Sequence, residues 1–240
     1  MESQMIPVDL LISYVFQIHT NISKLESLRP SKQVNALFTQ LVNLCTIPST
    51  IDVRVLPQDL QLKRESLINL CGQAEGLMEL EFSTFITKTP KPLNNLNLFP
   101  YYGNYLKLAK MEYNILAENG SMSPKKDIVA SDEELEKRMK FVTKDVMELK
   151  ECLGEYDCIF LAALVGLSRD EKVKILGHLR KYMKEGGLLL VRSANGARAF
   201  LYPIVEVEHD LVGFEVLCVF HPNDEVINSV VLVRKPFTSS

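Results

Sequence analysis

The 240-residue sequence lacks the features that mark several large functional classes. Its net charge is only −3 and no basic face is evident, which argues against nucleic acid as a partner, because phosphate binding needs concentrated positive charge. No apolar run approaches the roughly 20 residues that span a bilayer, so we expect no membrane partner. The first residues are acidic rather than basic before the apolar segment, so we also expect no signal peptide.

Cysteine, histidine and glycine lack the spacings of common sites. The five cysteines are an odd number without a C-x-x-C pair, and most lie in apolar runs, which predicts buried, reduced thiols in a cytoplasmic protein. His221 with Asp224 has no third candidate ligand, so no metal site is expected. No glycine-rich phosphate loop opens a helix, because Gly186 and Gly187 precede a predicted strand and end a helix instead.

One βαβ unit organises the second half of the chain. Residues 158–165 are apolar without polar alternation, which is typical of a strand buried on both faces in a parallel sheet. Ser168 is a candidate N-cap for a helix that ends at Gly186, and residues 188–191 predict a second buried strand. Ligands bind such sheets at the carboxyl ends of the strands, so residues 162–166 are candidates for a site.

Further strands are predicted on both sides of this unit. Residues 141–143 predict a short strand before it, and residues 213–220 and 226–234 predict an antiparallel hairpin after it. Residues 198–203 predict a helical turn. The second half is therefore predicted to be an α/β domain.

The first half is predicted to be helical. Apolar residues at helical spacing indicate helices over residues 6–28, after a Ser31 cap, through residues 67–85 and through residues 108–116. A proline-bounded connection contains a short β-prone run at residues 51–55. We divide the chain into a helical domain at 1–118, a linker at 119–136 and an α/β domain at 137–240.

Two carboxylates on the third helix are candidates for proton transfer. Glu75 and Glu79 are four residues apart and project to the same side. Gly72 and Gly76 flank Glu75 at a cost of about 1 kcal/mol each relative to alanine, which indicates a close approach to the backbone there. Partial burial beside the apolar stripe would raise the pKa of Glu75 and suit it to accept a proton from an amine. The alternative is a solvated pair of carboxylates beside incidental glycines.

Polar residues in two other regions can contact a ligand. Tyrosines at a proline-fixed helix start can hydrogen-bond a ligand while walling its apolar part, unless they belong to the core or the surface. The residues in this stretch are Tyr101, Tyr102, Asn104 and Tyr105. Asp145 can accept from an exocyclic amine after its short strand, or it is an ordinary turn aspartate. Arg192 and Arg198 flank a small-residue loop and can anchor a carboxylate, or they are surface arginines.

Several stretches together carry a family resemblance that no single spacing provides. They are Leu70-Cys71-Gly72-Gln73-Ala74-Glu75-Gly76 with Glu79, Phe99 to Tyr105, Tyr156 to Gly166, Arg192 to Ala194, Arg198 to Pro203, and His221-Pro222 with Asp224 to Val226. With these stretches the chain resembles the plant nicotianamine synthase family over nearly its whole length. The resemblance implies a helical N-terminal domain packed on a class I S-adenosylmethionine-dependent methyltransferase-like (Rossmann-like) sheet.

The resemblance also implies a reaction. Three S-adenosylmethionine molecules are joined by transfer of aminocarboxypropyl groups to an amine, methylthioadenosine leaves, and the product is the metal chelator nicotianamine. S-adenosylmethionine is the substrate, so no separate cofactor and no bound metal are expected. The sequence carries no feature that indicates an oligomeric state.

The roles of the site residues follow from the same resemblance. Glu75 is the expected general base, and Tyr101 and Tyr105 are the expected catalytic partners that orient the amine. Asp145 is expected to contact adenine, and residues 162–164 to line the floor of the cleft. The residues expected to bind substrate are Glu79, Tyr102, Asn104, Asp145, Ala162, Ala163, Leu164 and Arg192.

The chain departs from the family at one place. In the family, a strand, a Gly-x-Gly-Pro turn, a helix and a second strand precede the segment that corresponds to Leu135–Met139, whereas here Pro124–Ser131 runs almost directly into it. The missing piece is about 50 residues, a βαβ unit plus a further helix. The sheet is therefore expected to be truncated, with weaker substrate binding and strands that pair across the gap or leave an apolar edge exposed.

Two other functions remain open at this point. One is a catalytically silent family member, either a paralogue or a splice or gene-model variant, that acts as a binding partner. The other is a generic methyltransferase, which is disfavoured because simple methyl transfer does not need the Glu75 and tyrosine cluster.

Overall fold

A computed structural model describes residues 6–119, 140–223 and 226–237. Its α-helices in these ranges are α1 (Val8–Ile22), α2 (Lys32–Thr46), α3 (Gln58–Ile86), α4 (Tyr102–Glu118), α5 (Arg169–Tyr182) and α6 (Val207–Asp210). Its strands are β1 (Cys158–Leu161), β2 (Leu188–Ser193), β3 (Glu215–Phe220) and β4 (Ser229–Arg234). Short 3₁₀ helices lie at Val53–Val55, Pro92–Leu98, Val146–Glu148, Glu151–Glu155 and Gly196–Phe200.

The four predicted N-terminal helices are present. Ser31 caps α2, because its Oγ accepts a hydrogen bond from the Val34 amide at 3.2 Å. The first helix ends at Ile22, earlier than the apolar spacing indicated. The β-prone run at residues 51–55 contains a 3₁₀ turn and no strand, because the Asp52 carboxylate accepts from the Arg54 amide and tightens the backbone.

The sheet has the strand order β1-β2-β4-β3. β1 and β2 are parallel, with Cys158 opposite Leu188, and they are joined through α5, so the predicted βαβ unit is confirmed. Ser168 and Glu171 form a capping box at the start of α5. β4 is antiparallel to both β2 and β3, which confirms the predicted hairpin.

Two strand predictions need correction. Residues 141–143 form no strand, and Phe141 is 85% exposed. A strand needs a neighbour for its backbone hydrogen bonds, and the chain there turns instead into the 3₁₀ helix Val146–Glu148. β1 was predicted to be buried on both faces, yet Phe160 is 52% exposed. In the described ranges β1 pairs only with β2, so it is an edge strand with one face partly open.

Helices cover both faces of the sheet. On one face, Leu176 and Leu179 of α5 pack with Leu189, Val191 and Val231. On the other face, apolar residues of α4 pack against alternate residues of β2 and β4; these are Leu108, Ile115, Leu116, Leu188, Leu190, Val230 and Leu232. The predicted domain boundary at residue 118 stays a prediction, but α4 on its N-terminal side is a covering layer of the sheet.

The remaining N-terminal helices share a core with the segment after β2. Residues of α1, α2 and α3 pack against Ala194, Ala197, Phe200 and Leu201, and Phe16 meets Phe200 edge-on at 5.7 Å between ring centroids. This contact fixes the helical layer beside the sheet. None of the described helices combines the length and apolar character needed to cross a bilayer.

Lys172 is a fully buried lysine that joins α5 to the loop after β1. Its Nζ donates hydrogen bonds to the carbonyl oxygens of Ala163, at 2.8 Å, and of Ala162 and Val165. Gly166 completes this loop at a φ of +77°, where a side chain would be strained and would meet the backbone of Lys172. Burial lowers the pKa of the Lys172 ammonium group to about 8.

We expect the stability contributed by Lys172 to rise with pH. The unfolded lysine keeps its ordinary pKa of 10.5, whereas the folded pKa is about 8, so between these values the unfolded state binds more protons. Relative to Lys172→Met, the wild type should therefore gain roughly 2–3 kcal/mol of unfolding free energy as the pH rises through this window. Urea unfolding at pH 7 and pH 10 measures this difference, and a pH-independent difference would contradict the lowered pKa.

Candidate active site

Glu75 lines a cavity of about 410 Å³ between the helical layer and the segments next to the sheet. Residues of α2, α3 and the start of α4 form one side, and residues around 201–202 and 227–228 form the other. Its polar lining residues include four that the sequence predicted, Glu75, Tyr101, Asn104 and Tyr105. They also include Tyr202 and Asn228 from the second half of the chain. The structure thus brings four predicted site residues together in one cavity.

Two tyrosines hold the Glu75 carboxylate. The Tyr105 hydroxyl donates to Oε1 of Glu75 at 3.0 Å and to Oε1 of Glu79 at 3.2 Å. The Tyr202 hydroxyl donates to Oε2 of Glu75 at 3.0 Å. Each oxygen of Glu75 therefore has a donor, and the side chain is fixed in its orientation.

Burial raises the pKa of Glu75, and the negative charge of Glu79 adds to this effect. The hydrogen bonds from Tyr105 and Tyr202 act in the opposite direction, because they stabilise the carboxylate. The pKa values of both tyrosines are raised above 10 by burial and by the Glu75 charge, so both hydroxyls remain donors at neutral pH. The result is a positioned carboxylate of increased basicity, which is the property a general base needs.

Tyr202 was not among the predicted site residues. It follows the 3₁₀ helix Gly196–Phe200 and reaches Glu75 across 127 positions of sequence. Helical and strand spacing cannot reveal a pairing at that separation. Its only signal was its place in the stretch Arg198–Pro203 that carries the family resemblance.

The predicted site residues at the start of α4 differ in whether they line the cavity. Tyr101 and Asn104 line the cavity, and burial raises the pKa of Tyr101. The Phe99 ring stacks on Tyr105 at 5.6 Å between centroids and supports the hydroxyl that contacts Glu75. Tyr102 does not line the cavity.

The loop after β1 touches α3 without lining the cavity. A Cβ atom on Gly72 would lie 3.8 Å from side-chain carbons of Leu164 and Leu167, which is an ordinary contact distance, so this packing does not require a glycine. A Cβ atom on Gly76 would meet no atom within 4 Å. Ala162 and Ala163 also lie outside the cavity. Leu164 therefore packs beside Gly72 on the Glu75 helix, and the expectation that residues 162–164 line the floor of the substrate cleft stays a prediction.

Gly76→Ala tests whether that glycine is needed for the fold. The position is exposed and has open space, so alanine should raise the free energy of unfolding by about 0.5–1 kcal/mol through its higher helix propensity. Thermal and urea unfolding measure the change. A loss of stability would show that the glycine is required by packing, which the open space contradicts.

Arg192 and Arg198 bind protein groups. Arg192 forms a bidentate ion pair with Glu112, with Nε to Oε1 at 2.7 Å and the terminal nitrogen to Oε2 at 3.0 Å. Arg198 Nε donates to the Val226 carbonyl at 3.1 Å. Neither arginine lines the cavity, so direct anchoring of a substrate carboxylate is not seen. The charge of Arg192 instead opposes the rise in the pKa of Glu75.

Asp145 lies apart from the cavity. It is exposed, and its carboxylate accepts from the Met147 amide at 2.9 Å, which caps a 3₁₀ helix. Its local structure is therefore that of an ordinary turn aspartate, which was the second interpretation of this residue. The linker predicted at 119–136 falls mostly on residues 120–136, outside the described ranges.

The cysteines offer no nucleophile at the cavity. All five are free, and burial raises the pKa of Cys71, one turn before Glu75, to about 12. In the described part of the chain, no group of three or more His, Cys, Asp and Glu residues is arranged to hold a metal ion.

A carboxylate held by two tyrosines between a helical layer and an α/β sheet is an arrangement that enzymes with acid–base chemistry use. The family follows from sequence comparison. A family model described as "Nicotianamine synthase protein" matches residues 2–127 and 123–240. The chain therefore belongs to the nicotianamine synthase family.

Individual relatives agree with this family. The chain is 44% identical to nicotianamine synthase of Solanum lycopersicum over 265 residues, covering 94% of this chain and 83% of the relative. It is 44% identical to probable nicotianamine synthase 4 of Arabidopsis thaliana over 270 residues, covering 95% and 83%.

Solved structures agree with the fold. A mutant of MtNAS in complex with S-adenosylmethionine has a TM-score of 0.70 and 19% identity, covering 94% of this chain and 98% of that chain. MtNAS in complex with MTA and tNA has a TM-score of 0.71 and 18% identity, covering 96% and 99%. The predicted fold class, helices with a methyltransferase-like α/β sheet, is confirmed.

Proposed function

We propose that this chain is a nicotianamine synthase that transfers aminocarboxypropyl groups from S-adenosylmethionine to a substrate amine. The observation that carries the proposal is the Glu75 carboxylate, which two tyrosine hydroxyls hold in the cavity at 3.0 Å each. The names of the relatives and the ligands of the MtNAS structures support the choice of substrate.

Glu75 accepts a proton from the substrate amine in this mechanism. The amine nitrogen then attacks the carbon next to the sulfonium, an N–C bond forms, the C–S bond breaks, and the bonding pair leaves on the sulfur of methylthioadenosine. The positive charge of the sulfonium passes to the nitrogen of the newly formed secondary amine as the C–S bond breaks. Because Tyr105 and Tyr202 stay protonated, they hold the carboxylate without competing for the proton.

The roles of the remaining residues follow from their positions. Tyr101 and Asn104 contact substrate from the cavity wall, and Glu79 restrains the Tyr105 hydroxyl. Arg192 adjusts the basicity of Glu75 through its charge. S-adenosylmethionine acts as the substrate in this proposal, and no separate cofactor is included. The proposed location is cytoplasmic.

We further propose that the chain lacks the glycine-turn segment that relatives carry. One support is that the family model matches in two separate stretches that meet at residues 123–127. A second is that the alignment with the tomato relative spans 265 positions, although the chain has 240 residues. The partly open edge of β1, where a further strand would pair, is a third. We expect weaker substrate binding as a result.

The open edge of β1 also favours a second function, a catalytically silent family member that binds a partner. An exposed strand edge with Phe160 beside it is a surface that another chain can cover. This function predicts a folded protein that neither binds S-adenosylmethionine nor releases methylthioadenosine.

Mass spectrometry of products separates these functions. Purified protein is incubated with S-adenosylmethionine, and methylthioadenosine and nicotianamine are quantified together. The synthase predicts both products with three methylthioadenosines per nicotianamine. Absence of both, with no heat of binding in isothermal titration, would favour the silent family member, and a methylated product without methylthioadenosine would favour a methyltransferase.

A further inference from the structure

Asn228 is a buried amide whose donor has no partner in the described ranges. The residue is 7% exposed and directly precedes β4. Its side-chain Nδ2 is buried and makes no hydrogen bond within the part of the chain that the structure describes. Asn228 also lines the cavity that contains Glu75 and Tyr202.

An unpaired buried donor is costly. Leaving an amide desolvated without an acceptor costs on the order of 1–3 kcal/mol, so folded proteins keep few of them. The flanking backbone holds Asn228 in place, because Ile227 packs in the helical core and Arg198 Nε donates to the Val226 carbonyl at 3.1 Å. Nδ2 itself has almost no accessible surface, so the amide presents its donor to a ligand acceptor in the cavity after a half-turn about its Cβ–Cγ bond.

We propose that Asn228 Nδ2 donates a hydrogen bond to the α-carboxylate of the amino acid moiety bound in the cavity. This inference rests on the proposed function. The nucleophilic amine and this carboxylate are attached to the same carbon, so when the amine faces Glu75 the carboxylate must lie in the same cavity.

The charge of the cavity favours a neutral donor for this task. Among the described residues that line it, none is lysine or arginine, and the nearby Arg192 is paired with Glu112. A substrate carboxylate therefore has amide and hydroxyl donors only. A neutral amide binds the carboxylate without attracting Glu75, whose basicity a cation at the same place would reduce.

The direct test is a comparison of three ligands with Asn228→Leu. Isothermal titration uses S-adenosylmethionine, its decarboxylated analogue and methylthioadenosine. We expect the variant to bind S-adenosylmethionine about tenfold or more weakly, since hydrogen bonds to charged groups are the strong ones, and to bind the other two ligands within about twofold of wild type. Asn114→Leu, an exposed asparagine on α4 outside the cavity, is the matched control and should bind all three as wild type does.

A stability measurement separates this role from a structural one. Because the donor has no partner among residues 6–119, 140–223 and 226–237, Asn228→Leu should melt at or above the wild-type temperature. A lower melting temperature, or equal weakening of all three ligands, would overturn the inference. Asn228→Ala provides the same comparison if leucine does not fit. Failure of the wild type itself to bind S-adenosylmethionine would instead overturn the proposed function, and this inference with it.

Discussion

Glu75→Gln should reduce formation of methylthioadenosine and nicotianamine by at least about a hundredfold while the fold is retained. Glutamine keeps the shape of the side chain and an acceptor for one of the two tyrosines, but it cannot take a proton from an amine. Loss of a general base typically costs a factor of about 10² to 10⁴. Product formation is followed by mass spectrometry, and circular dichroism checks the fold.

The unfolding free energy of the same variant, compared with wild type, should depend on pH in a defined direction. The folded state raises the pKa of Glu75 above its ordinary 4.5, so the folded state binds the proton more tightly than the unfolded state does. The wild type therefore loses stability as the pH rises from about 4.5 through the folded pKa, whereas Glu75→Gln does not titrate. The stability of the variant relative to wild type should increase over that range.

A matched control distinguishes the loss of the general base from a general disturbance of α3. Glu65→Gln replaces an exposed carboxylate on the same helix and outside the cavity, and it should retain wild-type turnover. If Glu75→Gln were as active as Glu65→Gln, Glu75 would not be the base.

Arg192→Met should have the largest effect on stability. It leaves the Glu112 carboxylate, which is 4% exposed, without its bidentate partner. Removing one partner of a buried ion pair costs about 3–5 kcal/mol, because the other charge stays desolvated. Urea unfolding measures this loss, and a change below about 1 kcal/mol would mean that the pair behaves as a surface salt bridge.

Two further measurements connect this pair to catalysis. The double variant Glu112→Leu with Arg192→Met removes both charges and should recover much of the lost stability. Arg192 also lowers the pKa of Glu75, so any activity left in the single variant should show a pH profile shifted upward. An unchanged profile would contradict the electrostatic role of Arg192.

The parts of the structure that the sequence predicted are those with local causes. Helical spacing of apolar residues, the Ser31 and Ser168 caps, and the apolar runs of β1 and β2 depend on neighbours within a few positions. The strand predicted at residues 141–143 failed because a strand also needs a partner, which short-range patterns do not reveal.

The candidate site was predictable only in part for the same reason. Glu75, Tyr101 and Tyr105 lie in stretches whose chemistry is visible in sequence. Tyr202 and Asn228 reach the cavity through contacts between the helical layer and the sheet, more than a hundred positions away from α3. Such residues carry no local pattern, and only the packed fold identifies them.

A crystal structure of Glu75→Gln with S-adenosylmethionine would show directly whether Glu75 faces the substrate amine. We predict electron density in the cavity, with the substrate amine within hydrogen-bonding distance of residue 75 and its carboxylate next to Asn228. Substrate bound elsewhere, with its amine far from Glu75 and the cavity filled only by water, would contradict the assignment of Glu75 as the base.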